Sequence, residues 1–226
     1  MTITRLFGYV KKLDFAHQVL KVLRLYGYFK SIGENKPLDF SGNPIPWYTY
    51  PAIEFLKQFD YRNKKIFEWG AGYSSLFWGR LADSVLSAER IYAWYQNIKA
   101  RAINYRRLTI VYCPKKNDYI KLIKNGKGKY DIIVIDGEFR DECSKLAPRY
   151  LKKGGIIILD NSDWHRNIAK NFRELGFLQI DFKGFGALNT YTWVTSIFYK
   201  NTFNFRGVSE QLPTNPIGFI DPKNFK

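Results

Sequence analysis

Ile66-Phe67-Glu68-Trp69-Gly70-Ala71-Gly72-Tyr73-Ser74-Ser75 is the stretch on which the reading of this chain turns. A short apolar strand ends in a carboxylate and enters a glycine-rich turn, with a helix expected directly after it. Glycine at positions 70 and 72 lets the backbone take positive φ and approach a ligand with no Cβ in the way. The following helix offers free N–H groups at its start. A dinucleotide site would favour a third glycine where Ser75 stands and would not place Glu68 just before the turn. A carboxylate there repels phosphate and attracts a cation such as an ammonium group. Glu68, Trp69, Gly70, Ala71, Gly72 and Ser74 are therefore read as a loop around a positively charged ligand.

Outward from this stretch, strand-like runs alternate with helical ones at residues 65–68, 85–88, 108–112, 131–136 and 155–159. Such alternation predicts an α/β fold with a parallel sheet covered by helices on both faces. Ile132-Ile133-Val134-Ile135 and Ile156-Ile157-Ile158-Leu159 are apolar at successive positions, as central strands buried on both faces require. Residues 177–183 and 191–200, separated by Gly184-Phe185-Gly186-Ala187, read as a closing hairpin. Upstream, the proline- and aromatic-rich run Pro44-Ile45-Pro46-Trp47-Tyr48-Thr49-Tyr50-Pro51 cannot continue a helix and leads into one at 52–59. Trp47, Tyr48 and Tyr50 are expected either to fold over a ligand or to pack on the sheet.

The chain has 226 residues, 46% hydrophobic and 18% aromatic, enough for one buried core. The division expected is an N-terminal helical extension and loop at 1–44, a ligand-binding domain at 45–200 and a loosely attached tail at 201–226 with Pro213, Pro216 and Pro222. No apolar run approaches the roughly 20 residues of a membrane span, and the start lacks the order of a signal peptide. A soluble, cytoplasmic protein is expected. Cys113 and Cys143 are too few for a disulfide framework or a thiolate zinc site and read as packed thiols.

Thirty-six Lys and Arg against 20 Asp and Glu give a net +16. That excess suits nucleic acid, anionic lipid or an acidic glycan, and equally suits the codon bias of an AT-rich genome, since Lys, Asn, Ile, Phe and Tyr are all abundant. Within residues 1–30, Leu6, Val10, Leu13, Val19, Leu20, Leu23 and Tyr26 stand among Lys11, Lys12, Lys21, Arg24 and Lys30. This reads as one or two amphipathic helices with a basic face, either touching a membrane surface or partner, or packed on the sheet.

Taken together, Glu68-Trp69-Gly70-Ala71-Gly72, an acid after the second strand, an aspartate after the fourth and the closing hairpin resemble the class I S-adenosylmethionine-dependent methyltransferases over residues 45–200. The resemblance implies a Rossmann-like sheet of seven strands, the last antiparallel and inserted beside the fifth. It implies S-adenosylmethionine as cofactor, its amino-acid end meeting Glu68. Glu89, after Val85-Leu86-Ser87-Ala88, would take the ribose hydroxyls, or is an ordinary acid at a strand end. Asp118, or Asn117 beside it, stands where relatives contact adenine, although a polar turn would look the same.

Asp136 ends the fourth strand and Asp160-Asn161 ends the fifth. Here the chain is similar to the catechol-type, metal-dependent O-methyltransferases. That likeness implies a divalent cation such as Mg²⁺ on Asp136, Asp160 and Asn161, oxygen ligands that suit a hard ion. The competing reading is that Asp136 binds cofactor or substrate directly and that Asp160-Asn161 caps its loop. The family's lysine base is replaced by Phe139, with Arg140 next to it. Arg140 is a poor base but an effective clamp for an acidic substrate, and His165 has a suitable pKa for proton removal. Asp136, Arg140 and His165 are the catalytic candidates.

The function expected is methyl transfer to oxygen on a small hydroxylated, sugar or glycan acceptor. One rival is a nucleic-acid methyltransferase, suggested by net charge and by Tyr92, Trp94, Tyr95, Arg101, Tyr105, Arg106 and Arg107 crowded together. Against it, Asp136-Gly137-Glu138-Phe139 lacks the Asn/Asp-Pro-Pro-aromatic run of base-amino methyltransferases. A second rival is a non-catalytic module of the same fold.

Overall fold

The computed structural model of the protein describes residues 3–126 and 128–220, with side chains from residue 12 onward in the first helix. The chain begins with α1 (Ile3–Tyr26), α2 (Tyr28–Glu34) and, after a loop, α3 (Tyr50–Lys57). It then alternates through β1 (Lys65–Trp69), α4 (Tyr73–Leu81), β2 (Ser84–Glu89), α5 (Tyr92–Arg101) and β3 (Leu108–Tyr112). Next come α6 (Lys116–Lys121), β4 (Tyr130–Ile135), α7 (Arg140–Tyr150), β5 (Leu151–Leu159) and α8 (Arg166–Glu174). Two further strands, β6 (Leu178–Gly184) and β7 (Trp193–Tyr199), close the fold.

The sheet has seven strands in the order β3-β2-β1-β4-β5-β7-β6. β1 to β5 are parallel to their neighbours, and β7 runs antiparallel between β5 and β6. The expected α/β sheet, with its last strand antiparallel beside the fifth, is therefore present. Strand order reverses between β1 and β4, and at such a switch point the loops diverge and leave a crevice beyond the carboxyl ends.

Side-chain alternation explains why the central strands are apolar throughout. Ile66, Ile132, Val134, Ile156 and Ile158 face one layer, built with Ile53 and Leu56 of α3 and Trp78 of α4. Phe67, Trp69, Ile133, Ile135, Ile157 and Leu159 face the other, built with Tyr119, Cys143, Ala147, Ile168 and Phe172 from α6, α7 and α8. Each buried Ile or Leu contributes about 1.5–3 kcal/mol of transfer free energy, so two covered faces hold the switch-point strands rigid. Cys113 and Cys143 are both buried free thiols, as expected.

The ends of the chain differ from their readings. Leu6, Val10, Lys11 and Pro222 lie outside the described side chains. In α1, Leu13, Phe15, Val19 and Leu20 are exposed rather than packed on the sheet. They stand on opposite sides of the helix, so the spacing that looked amphipathic makes no single apolar face. α1 stops at Gly27, whose φ is +84° and where a Cβ would meet Leu38 O at 2.4 Å. Just before it, Tyr26 stacks on Tyr50 at 4.4 Å. The tail up to residue 220 is tied down rather than loose. Arg206 O accepts from Asp60 N–H, Val208 N–H donates to Gln58 O and Ile217 N–H donates to Glu54 Oε1 at 2.9 Å. No described helix is long and apolar enough to cross a membrane.

Candidate active site

The floor of the crevice is made where the loops after β1 and β4 touch backbone to backbone. Gly70 has φ +97°, and a Cβ on it would lie 2.6 Å from Gly137 N. On Gly137 a Cβ would lie 2.8 Å from Gly70 Cα and 1.9 Å from the Tyr119 hydroxyl. Only glycine fits either position. Gly72 does not take the positive φ expected of it: its φ is −168°, extended backbone open to any residue. Its nearest neighbour for an added Cβ is Ser74 Oγ at 3.7 Å, so the space it leaves belongs to the crevice and not to protein.

Beyond this floor lies a cleft of about 660 Å³, within the range that encloses a small-molecule ligand. Gly70, Ala71, Gly72 and Ser74 form one wall, and Glu89, Arg90 and Ile91 after β2 form another. Asp136, Gly137 and Glu138 after β4, with Asp160 and Asn161 after β5, complete the base. Four carboxylates thus line the cleft of a chain whose net charge is +16. Arg90 is spent on Glu138, Nη2 to Oε1 at 2.8 Å. The cleft therefore favours a positively charged guest.

Glu68 is where β1 puts it but not where a ligand touches it. It is fully buried and does not line the cleft. Its Oε1 accepts from Ser74 Oγ at 2.5 Å, and Oε2 accepts from Ser75 and from Ser87 Oγ at 2.9 Å. Burial pushes its pKa up to about 7, with the three hydroxyls pulling the other way. The expected direct contact with an ammonium group is therefore closed to Glu68, which meets the cleft only through Ser74, a residue that both bonds its carboxylate and lines the cleft. Trp69 points into the core, Nε1 donating to Tyr119 O at 3.1 Å, and makes no part of the cleft wall. Alternation along β1 sends residues 68 and 69 to opposite faces of the sheet, and both faces are covered.

Glu89 lines the cleft at the end of β2. Its Oε1 accepts from the N–H groups of Arg90 at 2.8 Å and Ile91 at 2.7 Å, which fix the carboxylate in place. Burial raises its pKa against those same hydrogen bonds. Asp118 and Asn117 are exposed in the first turn of α6 and lie off the cleft wall. An acid there complements the helix dipole, which accounts for it without a ligand. Tyr119, one residue on, is the side chain of that turn that reaches the cleft.

Asp136, Asp160 and Asn161 do come together at the ends of β4 and β5. Asp136 keeps 20% of its side-chain surface exposed, yet burial lifts its pKa to about 6, with Arg140 opposing the rise. Asp160 is pushed higher, first by burial and then by the charge of Asp136. Its Oδ1 accepts from Thr195 Oγ1 at 2.5 Å and Trp193 Nε1 at 3.1 Å. Arg140 does not reach into the cleft to hold a substrate. Its guanidinium turns back onto Gly137 O at 2.9 Å, Asp136 O at 2.9 Å and Asp160 O at 2.5 Å, and onto Asp136 Oδ1 at 3.0 Å. His165 also lies off the cleft wall, half-buried at the start of α8, its pKa lowered by burial and by Arg140.

This arrangement does not fit the expected divalent cation. A metal ion bridging Asp136 and Asp160 would compete with a guanidinium already bonded to Asp136, and Asp160 Oδ1 already serves two donors. Among the described residues no three His, Cys, Asp or Glu side chains converge as a metal site.

Several further cleft residues stand outside the glycine loop and the strand ends. Trp94 donates to Ala71 O at 2.6 Å and pins the glycine loop from α5. Trp47, Trp164, Tyr191 and Trp193 line the outer half, and Asn35 and Pro37 reach it from the N-terminal segment. Of the aromatic run, only Trp47 faces the cleft, while Tyr48 and Tyr50 are core. Of this outer wall only Trp47 was singled out by sequence, through its aromatic run.

No protein-family model and no curated protein sequence matches the chain. Solved structures do share its fold. A proposed caffeoyl-CoA O-methyltransferase of Staphylococcus aureus aligns with TM-score 0.54 at 19% identity, covering 84% of this chain and 98% of that one. The precorrin-6y C5,15-methyltransferase of Geobacter metallireducens aligns with TM-score 0.52 at 16% identity, covering 67% and 87%. An rRNA methylase of Streptococcus thermophilus aligns with TM-score 0.50 at 10% identity, covering 67% and 97%. At these identities the likeness establishes a Rossmann-like methyltransferase fold, and activity has to be argued from the site.

Proposed function

We propose that the protein transfers a methyl group from S-adenosylmethionine to a hydroxyl oxygen of a small acceptor, a sugar or glycan unit being the class favoured. The observation that carries this reading is the acid-lined cleft over the Gly70–Gly137 contact. It combines a glycine wall, a fixed Glu89 carboxylate and an aspartate near neutral pKa in one 660 Å³ space. The residues suit the cofactor. Ser74 and the N–H groups opening α4 would hold its amino-acid end, and Glu89 would accept from its ribose hydroxyls through Oε2, since Oε1 is engaged.

When bound, S-adenosylmethionine supplies an electrophilic methyl group on a sulfonium centre. The acidic walls favour that charge and exclude phosphate-bearing competitors. Asp136, facing the cleft with a pKa of about 6, would take the acceptor's hydroxyl proton as the new C–O bond forms and the S–CH₃ bond breaks. The proton then passes from its carboxyl group to solvent. Trp164 and Tyr191, both exposed, offer faces on which a sugar or flat ring stacks.

The nucleic-acid alternative finds less support here, because four carboxylates against one arginine line the cleft, and Glu89 and Asp136 would oppose a phosphate backbone there. Calorimetric titration with S-adenosylhomocysteine tests the cofactor half of the proposal, and absence of binding would end it. A screen of hydroxylated compounds with radiolabelled methyl donor tests the acceptor half. Label appearing only in RNA would replace it.

A further inference from the structure

We infer that Arg140 occupies the cation position between the ends of β4 and β5, so that the site works with a fixed guanidinium in place of a divalent metal ion. This rests on the methyl-transfer reading and concerns how its acidic base is neutralised. The guanidinium engages oxygens from Asp136, Gly137 and Asp160, three of them backbone carbonyls and one a carboxylate. That is an all-oxygen set of the kind a hard cation gathers. Here it is satisfied by a planar fork with five donors and a charge that does not titrate.

The chain geometry builds this placement. Phe139 adopts φ +53°, a costly conformation for a bulky residue, and it opens α7 with Arg140 as first helical residue. The side chain then folds back over its own loop and crosses to the β5 loop, where Asn161 also has positive φ, +49°. Only 14% of the Arg140 side chain remains exposed. A guanidinium so held cannot be exchanged or chelated. It also pairs with Asp136, one of the two aspartates at the site, and so tempers the negative charge that faces a sulfonium guest.

The test uses Mn²⁺, followed by electron paramagnetic resonance, alongside S-adenosylhomocysteine calorimetry with and without EDTA. The wild-type protein is expected to show no Mn²⁺ site that depends on Asp136, and the same nucleoside affinity in EDTA. Arg140→Met is expected to bind Mn²⁺ at least about tenfold tighter than wild type, since it removes a unit charge from beside the carboxylates. Adding Asp136→Asn to that variant should abolish the gain.

A wild-type Mn²⁺ site lost in Asp136→Asn would overturn the inference, and so would a folded Arg140→Met that gains no ion. If Arg140→Met does not fold, the wild-type and Asp136→Asn comparison decides alone. Arg140→Lys, which keeps the charge without the fork, should still exclude Mn²⁺. Failure of S-adenosylhomocysteine to bind would sink the methyl-transfer reading and leave the Mn²⁺ result interpretable.

Discussion

Gly70→Ala and Gly72→Ala, two residues apart in one loop, should fail in opposite ways. At Gly70 the new Cβ meets Gly137 N at 2.6 Å and Gly137 Cα at 2.7 Å, both backbone atoms that cannot swing aside, and φ is +97°. The conformational penalty and the forced separation of two loops together cost about 2–5 kcal/mol. For a chain of this length that is a fall in Tm of roughly 5–15 °C. At Gly72 the backbone is extended and the nearest atom is 3.7 Å away. Alanine there should leave Tm unchanged or slightly raised, because the unfolded chain loses freedom. Its methyl group enters the cleft instead, and S-adenosylhomocysteine affinity should fall about tenfold or more. Differential scanning fluorimetry and calorimetric titration on both variants read the two effects separately. A Gly70→Ala protein that melts with wild type would refute the loop-contact argument. A Gly72→Ala protein that binds the nucleoside normally would refute the placement of the ligand.

Glu68 should make the protein less stable as pH rises. Its folded pKa of about 7 lies above the ordinary carboxylate value, so the folded state holds the proton more tightly between about pH 4.5 and 7. Stability is then lost across that window by up to about 3 kcal/mol. Glu68→Gln should flatten this slope in urea titrations at pH 5 and 8, and an unchanged slope would contradict the assignment. Glu89→Ala removes the acceptor that holds Arg90 and Ile91 N–H groups and should weaken S-adenosylhomocysteine by about 1.5–3 kcal/mol in calorimetry. Equal affinity would place the ribose elsewhere. Trp164 is 64% exposed, so Trp164→Ala should leave Tm within about 2 °C of wild type while reducing methyl transfer to a stacking acceptor several-fold. Unchanged transfer would remove it from the acceptor wall.

Much of the fold was legible because the signals that specify it are local. Ile132-Ile133-Val134-Ile135 can be buried on both faces only in the middle of a covered sheet, and β4 is there. The two close-spaced strands near the end of the domain could pair only with each other and with an edge, and β7 sits between β5 and β6. The candidate site was legible at its strand ends, where Gly70, Glu89, Asp136 and Asp160 all reach the cleft. Residues one or two positions away were not, because a turn or a half-step along a strand redirects the side chain. Glu68 went beneath the loop to three serines, Trp69 into the core and Asp118 to solvent.

What the sequence by itself determined was order and kind: which runs are strands, where each ends, and that acids and glycines cluster at those ends. Periodicity and backbone freedom are properties of a few consecutive residues and need no distant partner. What only the tertiary structure decided was direction and company. Gly137 was required by Gly70, 67 positions away in the chain, and Arg140 spent its charge on the carbonyl of Asp160 rather than on a substrate. Aromatic residues from distant segments met as one wall of the cleft. Those pairings arise when separate loops are pressed together over the switch point of the sheet, and no local pattern encodes which of them will touch.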